Sequence, residues 1–121
     1  MARPVAGSIV IVDWRGDALP KEPNKRRPAV VVEDDGLFAD SYPNVIVVPL
    51  TEDPGLALPD LCVPIEPTAE NGCPKPCFAL PQSIATVSKA RVRVTGSRVT
   101  GAQLRRIRML AAEAIGIGSD R

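Results

Sequence analysis

The 121-residue chain contains no histidine. That removes the Ser-His-Asp triad, paired-imidazole phosphodiester chemistry and His-ligated zinc. Aromatic residues are scarce as well, at 3% of the chain. The apolar positions therefore fall to Val, Ile, Leu and Ala, whose β-branched share favours sheet. Neither sign of charge dominates, and a formal net charge of +1 argues against a sequence-independent polyanion clamp. Long apolar runs are missing too. Ile9 to Val12 is too short for a signal core or a membrane span, and no GxxxxGK[ST], GxGxxG or HExxH pattern occurs. Three cysteines, an odd count, without a secretory signal point to reduced thiols in the cytoplasm. Chemistry is left to arginine, lysine, hydroxyls, carboxylates and thiols.

An apolar share of 45% is that of a folding sequence, and the length suits one domain over residues 1–121. Ser8 to Asp13 reads as a strand opened by Gly7, and Arg15 to Arg26, with Gly16, Pro20 and Pro23, as a loop. Pro28 to Glu33 runs continuously apolar until its last residue, as a strand buried on both faces does. Val45 to Leu50 is a third strand, with Pro49 suggesting an edge or a bulge. Short strands are expected at Leu61 to Ile65, Phe78 to Leu80 and Ile84 to Val87. In Arg91 to Thr95 strict alternation puts Arg91, Arg93 and Thr95 on one face and Val92 and Val94 on the other. Leu104, Ile107, Leu110, Ala111, Ala114 and Ile115 recur at helical spacing behind a Thr100/Gln103 capping box, leaving Arg105, Arg106 and Arg108 on the solvated side. Many short strands followed by one helix predict a compact antiparallel barrel with the helix packed on it.

The most informative segment runs from Glu22 to Val32. Between Lys21 and Arg27 it holds four cations and one acid, and Arg27-Pro28 opens a buried strand. Arg27 stands where a rigid scaffold meets a polar loop. On residue chemistry alone it either caps a barrel end, with Lys25 and Arg26 solvated, or presents a guanidinium to an anion.

Three blocks in order resemble the MazF/PemK family of toxin mRNA interferases. They are Gly7 to Asp13 followed by Arg27-Pro-Ala-Val-Val-Val32; Val45-Ile-Val-Val-Pro-Leu-Thr51; and Asn71-Gly72, Pro74-Lys75, Ala79-Leu80 with Ile84 to Arg91. The similarity spans roughly residues 7 to 116. It implies an SH3-like antiparallel β-barrel, a homodimer, and metal-independent cleavage of single-stranded RNA without a cofactor. It also implies a cognate antitoxin with an acidic, flexible segment. The family's catalytic pair carries over to Arg27 and Thr51. Attack of a ribose 2′-OH on the adjacent phosphate, giving a 2′,3′-cyclic phosphate and a 5′-OH, builds negative charge that a planar guanidinium and a hydroxyl can meet. Arginine is a poor base at neutral pH, so Arg27 fits charge stabilisation, and Glu22, where the resemblance also places a glutamate, is the candidate to orient it or accept a proton.

Two family positions differ. Gly-Ser before that glutamate is here Pro20-Lys21, and Asp-Gln before the Ile-x-Thr-Val run is here Gln82-Ser83, so either Gln82 or Ser83 fills the glutamine position. Trp14 could stack on a base or cover the barrel end. Lys21, Lys25, Arg26, Lys89, Arg91 and Arg93 are candidates for the RNA track, or else solvated surface charges. Cys73-Pro-Lys-Pro-Cys77, with only Cys62 as a further thiol, falls short of a zinc ligand set; a Cys73–Cys77 disulfide would require oxidation. The competing functions are a non-catalytic gyrase-binding toxin of the CcdB type, against which the non-aromatic Ile117 to Arg121 end argues, and a degenerate barrel that only binds.

Overall fold

The computed structural model describes residues 3–14 and 26–119. Within them, seven strands precede one α-helix: β1 Ser8–Asp13, β2 Arg26–Val31, β3 Asn44–Thr51, β4 Val63–Ile65, β5 Cys77–Ala79, β6 Ala85–Ser88, β7 Val92–Arg98 and α1 Gly101–Ala114. All pairings are antiparallel, in the order β4-β5-β3-β2-β1-β7, with β6 also paired to β3. The sheet does not close on itself along this path, but it is the mainly antiparallel, barrel-like fold with a C-terminal helix that the strand pattern predicts.

Side-chain alternation divides the core between the two faces of the sheet. Val10, Val12, Ala29, Val31, Val45 and Val47 point to one side, where Val87, Val92 and Val94 complete the cluster. Ile9, Val30, Val48 and Leu50 point to the other, against β4, β5 and the Ile107 and Leu110 of α1. Ala29, Val30 and Val31 are each fully buried, so the unbroken apolar run of β2 does mark a strand covered on both sides.

β3 corrects one expectation. Its proline does not mark an edge: Pro49 lies opposite Ala29 of β2, and β3 also pairs with β6 and β5. Pro49 sits where β3 passes between these neighbours, and its carbonyl accepts from Leu80 N–H at 3.0 Å. A proline lacks only the donor, so the strand keeps an acceptor at the crossover.

The capping box is present, with Thr100 Oγ1 accepting from Gln103 N at 3.0 Å and Gln103 Oε1 accepting from Thr100 N at 2.9 Å. Two expectations about α1 need correction. Ala114 and Ile115, placed on the apolar face by their spacing, are both exposed, Ile115 at 69%, beyond the last packed turn. Arg108 does more than face solvent: its guanidinium donates to the carbonyls of Val32 (2.8 Å) and Glu33 (2.9 Å), tying the helix to the end of β2. Glu33 is itself buried and accepts from Ile46 N–H at 3.1 Å.

Candidate functional site

Arg27 and Thr51 come together through register. β2 and β3 pair Ala29 with Pro49 and Val30 with Val48, so running that register two residues further sets Arg27 level with Thr51. Both line a cavity of about 370 Å³. Its apolar lining comes from Ile9, Ile11, Pro28 and Leu50, and the loop from Asn71 to Cys77 forms a wall carrying Lys75; Glu52, Thr95 and Ser97 complete the rim.

Each part is locally fixed. Thr51 is 1% exposed; its hydroxyl accepts from Asp53 N–H at 3.1 Å, and Asp53 in turn caps the turn Pro54–Leu56 through Gly55 N–H at 2.8 Å. Asn71 anchors the wall. Buried, it donates from Nδ2 to the Glu66 carbonyl (2.8 Å) and accepts at Oδ1 from Thr68 N–H (3.0 Å) and Cys73 N–H (2.9 Å). The next residue, Gly72, has φ +64°, and a Cβ there would stand 2.8 Å from Ser97 Oγ. The positive φ favours glycine here, and any larger residue would also have to displace the Ser97 hydroxyl.

Ile11 also borders a second cavity, of about 360 Å³, lined by Asp13, Arg26, Ala90, Arg91, Val92 and Arg93. The alternation predicted for Arg91 to Thr95 holds only from Val92 onward, because Arg91 ends the 3-10 turn Lys89–Arg91 and β7 begins at Val92. Arg91 and Arg93 join Arg26 in a cationic recess beside the first cavity, while Val92 and Val94 pack inward.

Other predicted site residues lie elsewhere. Trp14 is 6% exposed and belongs to the core cluster with Val10 and Val12. Gln82 and Ser83 stand not on a strand but in the 3-10 turn Pro81–Ser83, which packs against α1. Neither residue lines the Arg27–Thr51 cavity. Lys89 opens the 3-10 turn Lys89–Arg91 and donates from Nζ to the Asp40 carbonyl at 3.1 Å. Glu22, Lys21 and Lys25 lie outside the described residues. Lys75, Asn71 and Ser97 are the residues that sequence reasoning passed over; the proline on each side of Lys75 was the available signal.

Among the described residues no group of three or more Cys, Asp and Glu side chains could hold a metal ion, and no helix is long and apolar enough to cross a membrane. The described residues form a mainly antiparallel β-sheet protein with one C-terminal helix and a cavity that gathers Arg27, Thr51 and Lys75. The chain belongs to the PemK-like, MazF-like toxins of type II toxin–antitoxin systems, whose family model matches residues 6–115. No curated protein matches it. Solved structures show the same fold. The Mycobacterium tuberculosis toxin MazF-mt6 is 21% identical with a TM-score of 0.67, over 94% of this chain and 99% of that one. A MazF from Deinococcus radiodurans is 17% identical with a TM-score of 0.73, over 96% and 99%. A mycobacterial endoribonuclease solved with its cognate antitoxin is 19% identical with a TM-score of 0.69, over 94% and 96%.

Proposed function

We propose that this toxin is a metal-independent endoribonuclease acting on single-stranded mRNA in the cytoplasm and held in check by a cognate antitoxin. The observation that carries the proposal is the meeting of Arg27, Thr51 and Lys75 around one cavity. When a ribose 2′-OH attacks the adjacent phosphate, charge grows on the equatorial oxygens. Arg27 meets it with paired donors in a fixed plane, Thr51 adds a hydroxyl, and Lys75 adds a point charge from the facing wall. The products are a 2′,3′-cyclic phosphate and a 5′-OH. Arginine is a poor base at neutral pH, so Arg27 is assigned to charge stabilisation. Glu22, five residues before it in sequence, is the residue assigned to orient Arg27 or take the proton.

The recess of Arg26, Arg91 and Arg93 extends the phosphate path past Ile11. An acidic antitoxin segment would satisfy the same cations and exclude RNA by occupying them. The active form is a homodimer, as in the family. The test is incubation of the purified protein with defined RNA in EDTA. Cutting supports the proposal; intact RNA with blocked gyrase makes the chain a CcdB-type binder; intact RNA with active gyrase makes it a binding module.

A further inference from the structure

The wall of the Arg27–Thr51 cavity contains two thiols that the proposed cleavage does not use. Cys73 and Cys77 are both free, with their Sγ atoms 3.7 Å apart. Their backbones are already held: Cys73 N–H donates to Asn71 Oδ1, and Cys77 pairs with Ile65 of β4. A disulfide requires the sulfurs to approach by only about 1.7 Å, a change that side-chain rotation together with a small contraction of the 73–77 segment supplies without refolding. The two thiols also differ in access. Cys73 is partly exposed on the cavity, whereas Cys77 is 6% exposed at the start of β5.

We propose that Cys73 and Cys77 form a reversible disulfide that gates the Arg27–Thr51 cavity, driven by low-molecular-weight disulfides such as oxidised glutathione. The reaction balances in two exchanges. The Cys73 thiolate attacks the external disulfide, forming a mixed disulfide and releasing one glutathione thiolate. The Cys77 thiolate then attacks the Cys73 sulfur, closing the ring and releasing the second. Two protein thiols are oxidised, one external disulfide is reduced, and the two thiol protons pass to solvent. Burial and the neighbouring Cys73 push the Cys77 thiol up to about 12, with smaller contributions from Glu52 and Glu66. That slows the second exchange at neutral pH and makes it accelerate as pH rises.

The consequence for the cavity follows from the residues inside the ring. Pro74 and Pro76 lock φ on both sides of Lys75, so contraction between the two sulfurs passes to the Lys75 backbone. The wall cation then shifts relative to Arg27 and Thr51. The gate rests on the proposed cleavage at this cavity, where a displacement of about 1 Å can cost on the order of a hundredfold in rate.

The test oxidises the full chain with excess oxidised glutathione and maps the product by peptide mass. Cleavage of RNA and binding of a 2′-O-methyl oligonucleotide are measured before and after, and again after reduction with dithiothreitol. The expected result is an internal 73–77 ring, RNA cleavage slower by about tenfold or more, and recovery on reduction. Cys62→Ser should leave the oxidised-to-reduced activity ratio as in the parent chain. Cys73→Ser should bring that ratio to one, and it spares the buried Cys77 should Cys77→Ser fail to fold. Mixed disulfides without ring closure, or a ring that leaves cutting and binding unchanged, overturn the gate. Reduced protein that neither cuts nor binds RNA overturns the proposed function, and the gate with it.

Discussion

Replacing Thr51 by valine and by serine separates its chemistry from its packing. Thr51→Val keeps the shape of a side chain that is 1% exposed but removes the oxygen that accepts from Asp53 N–H. The partly exposed Asp53 N–H then loses its partner, at a cost of about 1 kcal/mol, the low end for an unsatisfied donor because water can reach it. Thr51→Ser keeps that bond and loses one buried methyl, about 0.8 kcal/mol. Both variants should therefore unfold at nearly the same denaturant concentration, slightly below the parent chain. Cleavage should split them. Losing a hydroxyl that meets transition-state charge should slow Thr51→Val by about 10²–10³-fold, while Thr51→Ser stays within about tenfold. The assay is single-turnover cutting of a fluorescent RNA oligonucleotide in EDTA, with urea unfolding of the same preparations. Equal losses of activity in the two variants, or full activity in Thr51→Val, would refute a chemical role for the hydroxyl.

Three further outcomes are expected. The lone Trp14 should emit as a buried indole whose fluorescence RNA does not quench, and Trp14→Ala should destabilise the fold by about 3–5 kcal/mol; strong quenching by RNA would contradict its place in the core. Arg91→Ala and Arg93→Ala should each weaken RNA binding and reduce the salt dependence of log K by about 0.7 for each phosphate no longer neutralised, which titrations at several ionic strengths would read; an unchanged slope would remove that recess from the RNA path. Cys77, raised by burial from 9.0 to about 12, holds its proton in the folded chain while the unfolded chain releases it. Its contribution to stability is complete below pH 9 and is lost as pH rises from there to 12, so Cys77→Ala should flatten that part of the stability profile measured by denaturant unfolding.

The elements most legible in the sequence were those whose signal is local. The apolar run of β2 and the Thr100–Gln103 box declare themselves within a few residues, since burial on both faces and a capped first turn are properties of short segments. Pro49 misleads because its meaning depends on which strands flank β3, and no residue near it records that β3 pairs with three partners. Arg108 reads as a solvated helix charge because the Val32 and Glu33 carbonyls that it meets are more than seventy residues away. Gln82 and Ser83 are named from the resemblance of the block around them, but Pro81 starts a 3-10 turn there.

The site divides in the same way. Arg27 and Thr51 could be named from the blocks that contain them, and the β2–β3 register explains why they meet. Lys75 and the two thiols reach the cavity only through the Asn71 anchor and the β4–β5 pairing, which neither composition nor periodicity encodes.

Arg27 is the residue on which the proposed chemistry most depends. The most direct measurement compares the parent chain with Arg27→Ala on one RNA in EDTA, after thermal unfolding shows both to be folded, and identifies the ends of any products. Cleavage leaving 2′,3′-cyclic phosphate ends, slowed by about 10²–10³-fold in the variant, is the predicted result. An Arg27→Ala chain that cuts at the parent rate would contradict it.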